Sequence, residues 1–464
     1  MANTYLDFFK AIAAIPHGSG NTKAISDYCV DFAKKRGLRY LQDESNNVII
    51  FKDATNGSDE TVILQGHLDM VCVQKDGRSI DFSHDGLDLR EDGDFLFADG
   101  TTLGGDDGIA VAYALAILDS DKIKHPNLEV VFTVDEEIGM LGAAALDLMP
   151  LKGRMLINVD SEDEGTLLTS CAGGVRADLK WTAADEKTAA GDCLRVTLDG
   201  LPGGHSGTEI DKHHENAVLV LVKLLKAAGV KRLVSIDGGS ADNAIPTACT
   251  AVVETEDGLA ETLAALFADA KAGFAASEQS VTLTTANADA APAFSETDTA
   301  ALLSLLCDMP NGVIAMSEHV PGLLQTSLNL GMLETKGNCV LTGHALRSSV
   351  QAEKELLLAA LTAHAAVFGA AVSTFGDYPA WEYKPESRLR DTILRCYEAQ
   401  YGKPMAITAI HAGLECGIFC GKKPELDCVS MVPDIFDIHT YDERLSLSSA
   451  ERTFELLCSV LAEL

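Results

Sequence analysis

The sequence is short of positive charge. Its 36 Lys and Arg stand against 69 Asp and Glu in 464 residues, a formal net charge of −33, and no basic cluster interrupts the deficit. Such a field repels phosphate backbones and anionic headgroups, which argues against nucleic acid or a membrane surface as a partner. A long apolar run is also missing, and the amino terminus, MANTYLDFFKAIAAIPHGSG, lacks the basic start and continuous apolar centre of a secretion signal. A cytoplasmic protein is the expectation. No disulfide framework is visible, because the 12 Cys are scattered from Cys29 to Cys458. The tightest group, Cys416, Cys420 and Cys428, has the spacing of a buried helix turn rather than of a thiolate zinc site. Internal repeats are absent as well.

What is present is ample apolar material, 47% of the chain, at a length that calls for two domains. Residues 61–70, TVILQGHLDM, carry an apolar β-branched run that turns polar at its end, the pattern of a central strand leaving a sheet. Residues 128–137, LEVVFTVDEE, and 154–164, RMLINVDSEDE, do the same and end in acids. Helices are expected over 4–14, over 21–36 with Ser19 or Asn21 as cap and Gly37 as stop, after Gly104-Gly105-Asp106-Asp107-Gly108, and over about 139–148. This alternation predicts an α/β layer with a mainly parallel sheet, whose carboxyl edge is the place for a ligand.

From residue 192 the strands become short and alternating, with Ala- and Leu-rich helices between them. That texture predicts an inserted α+β domain with an antiparallel sheet. Residues 376–381 are expected to form the return link, and the Ala-rich stretches 183–190 and 285–293 surface turns. The domains expected are 1–173 and 383–464 as one catalytic domain, with 174–382 as the insert.

The strand ends supply the chemistry. His67, Asp106, Glu137, Asp160 and His439 are candidate ligands of borderline divalent ions, zinc first, with cobalt and manganese as alternatives. Five residues suit two ions better than one, if an Asp is shared and a water or hydroxide lies between the ions as nucleophile. Asp69, two residues beyond His67, is placed to hold the other imidazole nitrogen. Glu136, beside Glu137, can stay unligated and take a proton as general base. Taken singly, each has a plainer account: His67 as a core histidine, Asp106 and Asp160 as cap or turn residues, and 135–137 as a solvated helix start.

Eight stretches in this order, QGHLDMV (65–71), DGTTLGGDDGIA (99–110), TVDEEIGMLGA (133–143), INVDSEDEG (157–165), GLPGGHSG (200–207), GGSADNAIP (238–246), HAGLECG (411–417) and FDIHTYDERLS (436–446), resemble the M20 metallopeptidases, in particular their aminoacyl-histidine dipeptidase type. The resemblance covers nearly the whole chain. It implies a zinc-peptidase catalytic domain with an inserted lid domain through which two copies dimerise. It implies two zinc ions, one on His67, Asp106 and Asp160 and the other on Asp106, Glu137 and His439, with Glu136 as general base and Asp69 as the acid that orients His67. It implies a small dipeptide substrate of the Xaa-His kind, β-alanyl-histidine included. A broader dipeptidase or tripeptidase, an N-acyl amino-acid deacylase, and a silent metal- or peptide-binding protein are the alternatives. His205 would steady the oxyanion, from its own or a partner subunit, or merely brace a glycine turn. Asn243, Arg347, His411 and Glu415 would bind substrate, Arg347 its carboxylate and, from a flexible loop at 411–417, His411 its carboxylate or scissile carbonyl and Glu415 its ammonium; the plainer accounts are a surface ion pair for Arg347 and an internal hydrogen bond fixing the loop for His411 and Glu415. Asp107 stands where the family's members carry Asn, adding an acid beside the metals.

Overall fold

The computed structural model describes residues 4–161, 163–320 and 322–464. The chain divides into two compact units, one of residues 1–171, 381–409 and 414–464, the other of residues 172–380 and 410–413. Each has its own apolar core.

The first unit is built on an eight-stranded sheet in the order Arg39–Gln42, Val48–Lys52, Asn127–Thr133, Thr61–His67, Met155–Asn158, Asp427–Ser430, Thr166–Cys171, Ala406–Ile410. Asn127–Thr133, Thr61–His67, Met155–Asn158 and Asp427–Ser430 run parallel at its centre, and antiparallel strands flank them. The parallel strands are buried almost throughout, which is why they read as continuous apolar runs rather than alternating ones. Helix Gly105–Asp119 is buried along nearly its whole length, and small residues bring it close to the sheet. A Cβ on Gly66 would lie 2.5 Å from both the Ala110 Cβ and Asp107 Oδ2. A smaller sheet of Leu89–Asp92, Phe95–Ala98, Arg444–Ser446 and Ile435–Phe436 completes the unit.

Helix Lys23–Arg36 ends at Gly37, which is left-handed at φ 67°, as glycine allows without strain. Its cap differs from the expectation. Thr22 occupies the position without a side-chain bond, because the Ser19 hydroxyl donates instead to Asp69 Oδ2 at 2.8 Å. The expected helix over 139–148 shrinks to Leu141–Ala145. Gly139 and Met140 before it have φ of 116° and 57°, outside the right-handed helical region.

The second unit is a nine-stranded sheet, antiparallel throughout its recorded pairs. Helices Ala217–Ala227, Glu296–Cys307 and Gln351–Val367 contribute to its core. Among the strands not expected are Gly173–Thr182 and Ala371–Tyr378. In the first, Val175, Ala177, Leu179 and Trp181 point inward and Arg176, Asp178 and Lys180 do not, the period-two signature of a half-buried strand. The second occupies the sheet edge, is largely exposed and slips register between Phe375 and Tyr378, so residues 376–378 belong to a strand rather than to a link. Strand Thr282–Ala288 likewise runs into the first part of the Ala-rich stretch expected as a turn.

His344 is fully buried in strand Cys339–Ser348, with Nε2 2.8 Å from the Thr342 hydroxyl. Burial pushes its pKa down from 6.5 to about 3. The unfolded chain therefore binds a proton that the folded chain refuses, so this contribution to stability is complete above about pH 6.5 and is lost as the pH falls toward 3. Removing the titrating group, as in His344→Phe, is expected to flatten the stability-against-pH slope between those limits by about 1.4 kcal/mol per pH unit. Urea melts across that range measure the slope separately from any constant loss.

Candidate active site

The parallel strands of the first unit deliver their carboxyl ends to one place. His67 closes strand Thr61–His67 and is 1% exposed. Its Nδ1–H donates to the main-chain oxygen of Asp69 at 2.9 Å. A carbonyl can only accept, so Nδ1 carries a proton, and Nε2 faces Asp106 Oδ1 at 3.0 Å and Asp160 Oδ1 at 4.0 Å. The second oxygen of Asp106 faces Nε2 of His439 at 3.3 Å, and that nitrogen lies 3.1 Å from both oxygens of Glu137. His67, Asp106 and Glu137 also offer one ligand atom each within 4.8 Å of one another. One carboxylate thus turns an oxygen toward each of two histidines, and each histidine has a further carboxylate beside it.

The electrostatics match this donor set. Burial opposes a charge on His67, but hydrogen bonds to Asp106 and Asp69 and the charges of Asp160 and Asp106 outweigh it and hold its pKa well above the usual range. Hydrogen bonds to Asp106 and Glu137 lift His439 to about 10. Burial, then the charge of Asp106, raises Asp160 to about 8, and its buried Oδ2 has no hydrogen-bond partner. The pocket draws positive charge onto its imidazoles and still leaves a buried carboxylate oxygen unsatisfied. Imidazole and carboxylate donors with such a demand fit divalent cations of the zinc class.

Asp69 does more than the strand spacing suggested. Its carboxylate stands 3.5 Å from His67 Nδ1, farther than its own carbonyl. The carboxylate oxygens accept the main-chain N–H of Glu136 at 3.1 Å and of Glu137 at 3.4 Å. It therefore braces the loop that presents both glutamates. Gly20 N–H bonds Asp135 Oδ1 at 2.7 Å at the same turn. The Glu136 carboxyl sits among acids, and burial together with Asp160, Glu415 and Glu137 pushes its pKa well above the ordinary range despite the opposing charge of His67.

Asp107 is buried, and its Oδ2 accepts the His67 main-chain N–H at 3.0 Å. Burial, then the neighbouring Asp160 and Asp106, raises it well above the usual carboxylate range. Burial thus works against the extra charge expected of this acid.

Glu415 is fully buried and opens helix Glu415–Lys422, so it is not on a flexible loop. Its Oε2 accepts from Gln65 Nε2 at 2.5 Å and from the Thr133 hydroxyl at 2.6 Å. Burial raises it to about 7. Gln65 Oε1 in turn accepts from Asn158 at 2.7 Å, so three parallel strands are laced together beneath the ligands. This layer was not foreseen, although Gln65 and Asn158 were legible as polar residues inside apolar strands.

His205, Asn243, Arg347 and His411 belong to the second unit. The His205 Nδ1 accepts from Gly207 N–H at 3.2 Å and Thr208 N–H at 3.3 Å, which leaves its Nε2 as the proton-bearing donor. Asn243 offers its main-chain oxygen to Ser206 N–H at 2.8 Å. Arg347 Nη1 donates to the Tyr378 hydroxyl at 3.0 Å, and its buried Nε has no partner. His411 Nε2 lies 2.8 Å from the Ser327 hydroxyl, and its buried Nδ1 is likewise unpartnered. Burial, then the Arg347 charge, lowers His411 to about 3.

Residues 63–463 match the model of peptidase family M20/M25/M40. The chain belongs to this family. The peptidase is 35% identical over 471 residues to the cytosol non-specific dipeptidase of Escherichia coli (strain K12), covering 99% of this chain and 97% of that one. Its structure is similar to that of the aminoacylhistidine dipeptidase of Vibrio alginolyticus, with a TM-score of 0.94 at 35% identity, over 99% of this chain and 96% of the other. An aminopeptidase from Bacillus cereus, at 16% identity and a TM-score of 0.61 over 99% and 97% of the two chains, shares the fold alone. The peptidase is accordingly a hydrolase of a metal-dependent family, and the cluster around Asp106 is its candidate metal centre. Among the described residues no helix is long and apolar enough to cross a membrane.

Proposed function

We propose that the protein is a dipeptidase that holds two divalent ions, zinc foremost, and cleaves small dipeptides with a preference for Xaa-His, β-alanyl-histidine included. The observation that carries this reading is the Asp106 carboxylate turned toward His67 with one oxygen and His439 with the other, beside a glutamate, Glu136, that lies outside the ligand set. His67, Asp106 and Asp160 would hold one ion, and Asp106, Glu137 and His439 the other. When bound, the ions supply Lewis acidity toward the peptide carbonyl and make water a nucleophile at neutral pH.

The chain's own groups do the proton work. Glu136, held by Asp69 through its main-chain N–H, takes the proton of the attacking water and returns it to the departing amine nitrogen. His205, with Nε2–H as its free donor, serves the developing oxyanion. The unpartnered Arg347 Nε and His411 Nδ1 support a subsite for the substrate carboxylate in the second unit, to which Asn243 would also contribute. The second unit would act as a lid and as the surface through which two copies pair, with His205 serving the partner's substrate. Glu415, whose Oε2 is taken by Gln65 and Thr133 and whose buried Oε1 has no partner, would meet the substrate ammonium with that second oxygen.

The two well-matched relatives differ in what their names say of breadth, one non-specific and the other aminoacylhistidine. Initial rates of the zinc-loaded protein on β-Ala-His, Gly-His, Gly-Leu, a Gly-Gly-His tripeptide and N-acetyl-His decide between them. The expected result is the highest kcat/KM on the two His dipeptides. Equal rates on Gly-Leu would replace the Xaa-His preference with a broad one, and cleavage of N-acetyl-His alone would make the protein a deacylase. Binding of all five without hydrolysis would make it a peptide-binding protein.

A further inference from the structure

Glu443 lies four residues beyond His439 and is 3% exposed. Its carboxylate accepts four main-chain N–H groups. Oε2 takes those of Leu103 at 2.7 Å and Gly104 at 3.1 Å, and Oε1 those of Gly105 at 2.8 Å and Asp106 at 3.4 Å. These donors lie in the turn that leads into helix Gly105–Asp119, whose backbone is not yet helical at Asp106 and Asp107, so they have no intrahelical partners. Gly105 makes room for the carboxylate, since a Cβ there would stand 3.1 Å from Oε1.

The other end of Glu443 belongs to the turn that presents His439. That turn joins Ile435–Phe436 to Arg444–Ser446. Within it Asp437 and His439 sit in the left-handed region at φ 54° and 61°, a conformation that L-residues keep only where the surroundings impose it. Arg444 Nη1 holds the Asp437 carboxylate at 2.5 Å, and Glu443 N–H bonds Thr440 O at 3.3 Å. One carboxylate therefore ties the loop carrying Asp106 to the loop carrying His439.

We propose that Glu443 is a positioning residue that sets Asp106 against His439 and thereby governs the affinity of the ion shared by Asp106, Glu137 and His439 more than that of its neighbour. The inference rests on the two-ion reading above. The asymmetry follows from what the clamp holds. It fixes two of the three ligands of one ion but only one ligand of the other, whose His67 and Asp160 end separate strands and whose His67 main chain is held by Asp107.

The test is cobalt(II) titration of the metal-stripped protein, followed by visible absorption and elemental analysis, for the wild type, Glu443→Gln and Glu443→Asp. Gln presents an N–H₂ group to N–H donors, so Glu443→Gln is expected to keep one ion at near wild-type affinity and to weaken the other by about tenfold or more, the range for outer-layer partners of metal ligands. Glu443→Asp keeps the charge with a shorter reach and is expected to fall between. A group that only caps the helix would lower the melting temperature of the metal-free protein without separating the two affinities. Unchanged affinities, or an equal loss at both ions, overturn the proposal. Should Glu443→Gln not fold, Glu443→Asp is judged by the same split. A wild type that binds fewer than two ions overturns the two-ion reading itself.

Discussion

Glu136→Gln is expected to keep its bound metal and lose about 10³-fold in kcat, within the range for a positioned general base. The amide is nearly isosteric, and no metal contact is assigned to this side chain, so metal content and fold should be unchanged. The Asp69 bond to the main chain of residue 136 does not involve the side chain and should survive. What disappears is a carboxylate able to receive a proton. Its acid-rich surroundings, with Asp160, Glu415 and Glu137 nearby, raise its basicity, and bound cations work in the opposite direction. Elemental analysis and steady-state kinetics on the same preparation separate the two contributions. Full activity in the variant would remove Glu136 from its role.

Asp106→Asn is expected to do more, because it strikes the residue common to both halves of the site. A carboxylate offers an oxygen to the His67 side and another to the His439 side, whereas an amide offers one oxygen and one N–H₂ group. One ion therefore meets a donor where it needs an acceptor. Both affinities should fall, and kcat/KM with them by about 10⁴-fold, since a loss of several kcal/mol of charge stabilisation costs a factor of ten per about 1.4 kcal/mol. Activity within tenfold of the wild type at saturating zinc would show that Asp106 is not shared.

The catalytic half of the fold was legible because its parallel strands are buried on both faces. Runs such as Val62-Ile63-Leu64 and Val130-Val131-Phe132 leave no alternation to confuse, and each turns polar where it exits the sheet. His67, Glu137 and Asp160 could be named for the same reason, Asp106 and His439 lie at a helix start and in a turn, and the structure brings the five together. What one sequence hid was support that comes from far along the chain. Glu443 meets residues 103–106, and Glu415 meets Gln65 and Thr133, across separations that no local period records. The Asp69 contact with Glu136 and Glu137 is of the same kind, since residue spacing pointed its carboxylate only at His67. Strand Gly173–Thr182 did carry a readable alternation, but it lies at the change of texture between the two units. Strand Ala371–Tyr378 could not be read that way, because an exposed edge strand with a register slip has no buried face to mark it.

Crystals of the zinc-loaded protein measured on either side of the zinc absorption edge test the central claim most directly. The account predicts two anomalous peaks, one beside His67 Nε2 and the other beside His439 Nε2, with an Asp106 oxygen on each and Glu136 on neither. A single peak, or two peaks that do not share Asp106, would contradict it.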